Sequence, residues 1–306
     1  ITREPVGVVA AIVPWNFPLI MTCWKLGPAL STGNSVIVKP SEKSPLTAIR
    51  LAQLALKAGI PAGVLNVLPG FGHTVGKALA LHMDVDTLVF TGSTKIAKQL
   101  MIYAGESNMK RVWLEAGGKS ANIVFADAPC LKTAAEAAAA AICFNQGEMC
   151  TAGSRLLIER SVKDEFMALL LDAMKGWKAG HALDPATTVG ALVDAGHLNS
   201  VLAYIEAGHA ENATLLCGGK RTLIETGGVY VEPTIFDNVT NSMRIAAEEI
   251  FGPVLSVITF DSTEEAISIA NDSIYGLAAA IWTSNLSKAH LAAKALRVGS
   301  MWVNQY

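Results

Sequence analysis

Thr87-Leu-Val-Phe-Thr-Gly-Ser-Thr94, continued by Lys95–Ala104 and closed by Arg111–Leu114, is the stretch that decides the fold class. Thr87–Phe90 and Arg111–Leu114 are short apolar runs suited to buried strands, and Lys95–Ala104 places apolar residues at helix spacing. Strand, helix and strand in that order predict a parallel pair joined by a crossover helix. The same rhythm runs upstream, with strands at Val6–Val13, Ser35–Val38 and Leu65–Leu68 and helices at Leu46–Lys57 and Thr74–Leu81. An α/β protein follows, its mostly parallel sheet covered by helices on both faces and its ligands expected at strand carboxyl ends.

Downstream of Gly117-Gly118 the rhythm resumes with strand Asn122–Phe125, an Ala-rich helix over Thr133–Ile142, strand Arg155–Glu159 and helix Val162–Trp177. Gly180–Gly228 reads as a looser stretch. Strands near Val229–Ile235, Val254–Phe260 and Ala278–Trp282 follow, with helices at Thr263–Asn271 and Leu286–Leu296. A domain boundary is expected near Gly118, dividing the chain into residues 1–118 and 119–306.

Of the 306 residues 51% are hydrophobic and 16% charged, with 24 Lys and Arg against 26 Asp and Glu for a net charge of −2. These values exclude a disordered chain and a polycationic nucleic-acid binder. A mean hydropathy of +0.38 with so thin a charge points to a face that meets another subunit, or to missing surface segments. Pro5–Trp24 carries no charge, but Pro14, Asn16 and Pro18 break it where backbone bonding could not be restored in lipid, so a membrane span is rejected. Cys23, Cys130, Cys143, Cys150 and Cys217 form no C-x-x-C pair and fit reduced thiols in a cytoplasm. The scattered histidines signal no metal site. The chain starts at Ile1 and stops at Val303–Tyr306, inside or just after a strand, so a fragment is expected.

Several segments can carry chemistry. Gly70-Phe-Gly72-His-Thr-Val-Gly76 approaches a dinucleotide fingerprint, with its third glycine one residue late; a plain glycine turn explains it equally well. Phe90-Thr91-Gly92-Ser93-Thr94 leaves a strand and opens a helix, which suits a phosphate at the positive end of the helix dipole or an ordinary Ser/Thr cap. Lys39-Pro-Ser41-Glu42 also leaves a strand. A carboxylate there can accept from two ribose hydroxyls and repel a 2′-phosphate, favouring NAD over NADP, or the segment is a solvated turn.

Cys150 follows the Ala-rich helix in the polar, glycine-flanked loop Asn145-Gln-Gly-Glu-Met-Cys150-Thr-Ala-Gly153, where a substrate could approach a nucleophilic thiol. Cys143 lies on the helix itself and fits a core residue. Glu115 ends the strand before Ala116-Gly117-Gly118, and burial beside Trp113 or Leu114 would raise its pKa towards that of a useful general base; a surface glutamate is the alternative.

In this order, the segments resemble the NAD(P)-dependent aldehyde dehydrogenase superfamily over essentially the whole chain. The matching motifs are Pro14-Trp-Asn-Phe-Pro18, Lys39-Pro-Ser-Glu42, Phe90-Thr-Gly-Ser93, Leu114-Glu-Ala-Gly-Gly-Lys119, Asn145-Gln-Gly-Glu-Met-Cys150, Glu249-Ile-Phe-Gly-Pro253 and Asn271-Asp-Ser-Ile-Tyr-Gly276. The resemblance implies a Rossmann-like cofactor domain with a parallel sheet, incomplete at its amino end, and an α/β catalytic domain, incomplete at its carboxyl end. It implies Cys150 as nucleophile, Glu115 as general base, Asn16 as oxyanion donor together with the Cys150 backbone N–H, and Lys25 on a proton path.

For the cofactor, NAD with NADP as the alternative, the resemblance places Lys39 and Glu42 on the adenosine ribose, Ser93 at the pyrophosphate, Glu249 on the nicotinamide ribose and Phe251 against the nicotinamide end. Gly72 and Gly76 would admit the adenine half, and Trp15 would order the site. Ile12, Pro14, Ser41, Phe90, Thr91, Gly92 and Gly117 complete the expected cofactor set. No metal is implied.

Ala97, Ala116 and Cys143 depart from the usual family residues without removing a chemical group. A finer likeness, in Ser107–Asp127 and Leu183–Thr188, points to the bacterial γ-glutamyl-γ-aminobutyraldehyde dehydrogenases of putrescine breakdown, hence to a small aldehyde with an amine-derived tail. The family implies a homodimer or homotetramer in the cytoplasm, with neither nucleic acid nor membrane as partner. Three alternatives stand beside this reading: a broad-specificity aldehyde dehydrogenase, a non-catalytic structural or binding fragment of the same fold, and a cysteine hydrolase that works without NAD.

Overall fold

Five parallel strands, β1 (Val8–Ile12), β2 (Ser35–Lys39), β3 (Leu65–Val67), β4 (Thr87–Thr91) and β5 (Arg111–Glu115), lie in the order β3-β2-β1-β4-β5. They belong to a computed structural model that describes residues 2–306. The chain folds as two units, one ending at Ala116 and the other spanning Gly117–Tyr306.

Within the first unit, β1 is central. Val9, Ala10, Ala11 and Ile12 are all buried, the continuous apolar run that a strand covered on both faces requires. At the edge, β5 instead exposes Arg111 and Trp113. The helices are α1 (Pro18–Ser31), α2 (Leu46–Lys57), α3 (Lys77–Leu81) and α4 (Thr94–Glu106).

Two sequence expectations are corrected here. The sequence expectations include no helix between the strands at Val6–Val13 and Ser35–Val38, yet α1 begins at Pro18, because proline at the first helical position has a preset φ and loses only an N–H that needs no helical partner. Pro28 lies inside the same helix. The helix expected from Thr74 starts instead as a π turn over Gly72–Gly76 and becomes α-helical only at Lys77.

The second unit contains β6 (Ala121–Val124), α5 (Leu131–Cys143), β7 (Arg155–Glu159), α6 (Lys163–Met174), α7 (Ala195–Ala210), β8 (Thr214–Cys217), β9 (Arg221–Thr222), β10 (Tyr230–Val231) and β11 (Thr234–Asp237). It continues with α8 (Arg244–Ala247), β12 (Val254–Phe260), α9 (Thr263–Asn271), β13 (Ala278–Trp282), α10 (Leu286–Ala295) and β14 (Ser300–Val303). Seven strands run in the order β14-β13-β6-β7-β12-β11-β8, all parallel except β8 against β11. The Ala-rich α5 buries Ala134, Ala135, Ala138, Ala139, Ile142 and Cys143, and Phe166 and Leu170 of α6 share that core. Burying a side chain of the Phe or Leu kind contributes about 1.5–3 kcal/mol.

Gly180–Gly228 is more ordered than its composition suggests, since it holds α7, β8 and β9. Asp194 caps α7 by accepting the His197 N–H at 2.8 Å, and Leu198, Val201 and Ile205 bury one helical face. The single strand expected over Val229–Ile235 is two, β10 and β11, separated at Pro233, which has no N–H for a ladder. Among the described residues no helix is long and apolar enough to cross a membrane.

Candidate active site

From β1 the chain builds outward through β2 and β3, then returns to place β4 on the other side of β1. Such a reversal leaves a crevice at the carboxyl ends of the two diverging strands. A cavity of about 530 Å³ lies there. Its lining includes Ile12, Pro14 and Trp15 after β1, and Lys39, Ser41 and Glu42 after β2. Gly72 and Gly76 border it from the π turn, and Phe90, Thr91, Gly92 and Ser93 from the end of β4. Every cofactor position that the sequence suggested in this unit thus faces one space.

The donor set suits a dinucleotide. Ser93 caps α4, its Oγ accepting the Ile96 N–H at 3.4 Å, so the helix presents its positive end beside the cavity. The buried Thr94 Oγ1 has no hydrogen-bond partner. A Cβ at Gly92 would stand 2.5 Å from Phe90 Cζ, so only glycine lets the backbone run close here. Lys39 is buried with its Nζ 3.5 Å from Glu42 Oε2; burial pulls its pKa down and Glu42 opposes that.

A second cavity in this unit, of about 480 Å³, is bordered by Lys25, Trp113, Leu114 and Glu115. Burial raises the Glu115 pKa and the charge of Lys25 opposes the rise. Leu114 is partly buried, but Trp113 is exposed at 63%, so it gives the carboxyl less cover than its neighbourhood in sequence suggested. Lys25 Nζ donates to Thr91 Oγ1 at 2.6 Å, and Thr91 is the register partner of Glu115 on the adjacent strand. Burial also lowers the Lys25 pKa. Asn16 lies in the loop between β1 and α1, outside both linings.

In the second unit, α5 ends at Cys143 and a 3-10 turn over Phe144–Gly147 delivers the chain to a half-buried Cys150. Cys143 is fully buried and burial pushes its thiol pKa up, as befits a core residue. Glu249 Oε1 accepts the Gly118 N–H at 3.1 Å, and a Cβ at Gly117 would lie 2.7 Å from the Glu249 carboxyl carbon. Burial raises the Glu249 pKa, against the Gly118 N–H and Lys119. Phe251 follows shortly after in a left-handed backbone conformation, φ 58°.

Two residues near this chemistry escaped sequence reasoning. Lys119 is fully buried with no hydrogen-bond partner for Nζ; burial and Arg155 push its pKa down to about 7, against Glu249 and Glu248. Tyr306 Oη donates to the Thr151 carbonyl at 2.7 Å, beside Cys150 in the chain. Nothing local in the sequence marks either burial. Among the described residues no group of His, Cys, Asp and Glu could hold a metal ion.

The model of the aldehyde dehydrogenase family matches residues 1–306. The chain belongs to this family. NADP/NAD-dependent aldehyde dehydrogenase PuuC of Escherichia coli is 59% identical over 306 residues, which are 100% of this chain and 61% of that protein. The crystal structure of the aldehyde dehydrogenase KauB from Pseudomonas aeruginosa is 80% identical with a TM-score of 0.99, covering 100% of this chain and 62% of that one. An indole-3-acetaldehyde dehydrogenase in complex with NAD+ is 78% identical with a TM-score of 0.99 and the same coverage, 100% and 62%. A γ-glutamyl-γ-aminobutyraldehyde dehydrogenase from Burkholderia cenocepacia is 61% identical with a TM-score of 0.97, over 100% of this chain and 61% of that one. The chain therefore spans about three-fifths of these aldehyde dehydrogenases.

Proposed function

We propose that this chain is the cofactor-binding and thiol-bearing part of an aldehyde dehydrogenase that oxidises an aldehyde to a carboxylic acid with NAD, or with NADP as the alternative. The observation that carries the reading is the cavity at the β1–β4 divergence, where Lys39, Glu42, Gly92 and Ser93 meet in a chain whose full length matches the family. Residues 1–118 are the NAD-binding domain in this reading, and residues 119–306 the catalytic domain.

Each residue then has one task. Lys39 and Glu42 hold the adenosine ribose, Ser93 the pyrophosphate, Glu249 the nicotinamide ribose, and Phe251 the nicotinamide end. When bound, the nicotinamide supplies a hydride acceptor. Cys150 Sγ attacks the aldehyde carbon, and the oxygen that becomes negative accepts from the Asn16 side-chain N–H and the Cys150 backbone N–H. Loss of hydride from that carbon leaves a thioester on Cys150. Glu115 takes a proton from water, the hydroxide adds to the thioester carbon, and the C–S bond breaks to release the acid and the thiol. A raised Glu115 pKa brings the base nearer the pH at which it must cycle, and Lys25 lies on its proton path.

The substrate we favour is γ-glutamyl-γ-aminobutyraldehyde or a related amino-aldehyde of putrescine catabolism, supported by the likeness to PuuC and to the Burkholderia enzyme. A broad-specificity enzyme is the second reading, supported by an indole-3-acetaldehyde dehydrogenase that is 78% identical with a TM-score of 0.99, against 61% and 0.97 for the Burkholderia enzyme. We place the enzyme in the cytoplasm as a homodimer or homotetramer. The test is NADH absorbance on adding aldehyde, which should rise with the native protein and vanish in Cys150→Ala. Native protein that binds no NAD and leaves Cys150 unreactive towards iodoacetamide would instead support a purely structural role.

A further inference from the structure

Three non-glycine residues of the second unit are held at positive φ close to the proposed chemistry: Asn145 at 48° and Gln146 at 58° in the turn before Cys150, and Phe251 at 58°. Such a backbone conformation is strained for a residue with a Cβ and persists only where its surroundings impose it. Side chains supply that constraint. Gln146 Oε1 accepts the Gly190 N–H at 2.9 Å, and Glu148 Oε1 accepts the Val193 N–H at 2.9 Å. His197 Nε2 lies 2.6 Å from the Phe251 carbonyl oxygen and 3.7 Å from Glu148 Oε1. A carbonyl oxygen only accepts, so Nε2 carries the hydrogen and donates it to Phe251.

His197 stands in the first turn of α7, held there by the cap on its own N–H. One turn further along, Val201 packs beside Gly252, where a Cβ would come 2.7 Å from Val201 Cγ2. Gly147 also approaches this residue: a Cβ there would strike the Gly252 carbonyl group and lie 2.7 Å from Pro253 N. Gly252, next to Phe251, is thus approached closely by α7 and by the turn that leads to Cys150. The His197 ring reaches both segments, 2.6 Å from the Phe251 carbonyl and 3.7 Å from Glu148 of the turn.

Resting on the reading of Cys150 as the nucleophile, we propose that His197 is a positioning residue. By holding the Phe251 carbonyl beside the Glu148 carboxylate, it locks the Phe251 loop to the turn that delivers the thiol, so the two keep one mutual arrangement through turnover. His197 need not touch substrate or cofactor to do this.

The experiment compares His197→Phe, which keeps a ring and loses the donor, with His197→Gln, which keeps an amide N–H of similar reach. Iodoacetamide alkylation of Cys150 and steady-state kcat are measured on both, with thermal melts to show that each is folded. Loss of one hydrogen bond should lower kcat in H197F about tenfold. The loosened turn should make Cys150 alkylate several-fold faster than in the native protein, and H197Q should restore both values to near native. If H197F does not fold, His197→Asn, polar but one methylene shorter than Gln, takes its place with the same expected contrast. Native alkylation and native kcat in the variant lacking the donor overturn the proposal, as does an H197Q protein no better than H197F. A native protein that oxidises no aldehyde while H197F still speeds alkylation would remove the enzymatic reading and leave the lock standing.

Discussion

Gly92→Ala tests how the β4 turn shapes the cavity. The new Cβ would stand 2.5 Å from Phe90 Cζ, 3.1 Å from Cε2 and 3.3 Å from Cε1, whereas carbon atoms in ordinary contact lie about 3.5–4.0 Å apart. The tip of the ring must therefore retreat by about 1 Å. Phe90 is buried in a cluster with Ile12, Leu88, Ala97 and Leu100, which leaves little room on the core side. The backbone is tethered as well, because Gly92 N donates to the Glu115 carbonyl at 3.1 Å.

The ring is left to swing into the cavity or to strain the strand end, at an overpacking cost of about 1–3 kcal/mol. For about 2 kcal/mol the melting temperature should fall by roughly 3–8 °C, the smaller value if the chain unfolds as a whole and the larger if the first unit unfolds by itself. NAD affinity, measured by calorimetric titration, should weaken about tenfold or more if the ring enters the cavity. Phe90→Leu removes the atoms that clash, so G92A/F90L should exceed the stability expected from adding the two single changes by about 1–2 kcal/mol. A G92A protein that melts like the native one, or strictly additive effects in the double variant, would refute the reasoning.

Two further outcomes can be measured directly. In Lys25→Met the cation that opposes the burial of Glu115 is gone, so the Glu115 pKa should rise further; because the base works ionised, the acid limb of the kcat profile should move to higher pH, and an unmoved limb would exclude their coupling. Arg155 donates to the carbonyls of Lys119, Ile269 and Ala270 at 3.0, 3.0 and 2.8 Å. Its replacement by Met takes this donor from the buried Lys119 carbonyl and the part-buried Ala270 carbonyl, while Ile269 keeps Asn241 Nδ2 at 2.8 Å, which should cost about 2 kcal/mol or more in urea unfolding, with Arg155→Lys intermediate.

Elements with one strong local pattern were legible in the amino-acid sequence. Leu46–Lys57, Arg155–Glu159, Val254–Phe260, Thr263–Asn271 and Ala278–Trp282 appear with the expected bounds, since each is an unbroken periodic or apolar run between breakers. α1 was not, because Pro18 and Pro28 look like breakers when the position within the helix is unknown. α7 was hidden by Gly196, Gly208 and two histidines scattered among its apolar positions. At the candidate site, Lys39, Glu42, Gly92 and Ser93 were legible because each lies at the end of an apolar strand or within three residues after it. His197, Lys119 and Tyr306 were not, because their significance lies in partners or burial that no neighbouring residue announces.

The order of strands and helices, the family, and the residue types able to do the chemistry follow from chain-local facts: periodicity, turn residues and motifs read a few positions at a time. Folding alone decided that β4 pairs beside β1 and so opens the cavity, that Glu115 is desolvated next to Lys25, and that His197 reaches the Phe251 carbonyl 54 residues away. The reason is that solvation and hydrogen-bond geometry depend on distances between side chains remote in sequence, and those distances exist only once the sheets have closed over their cores.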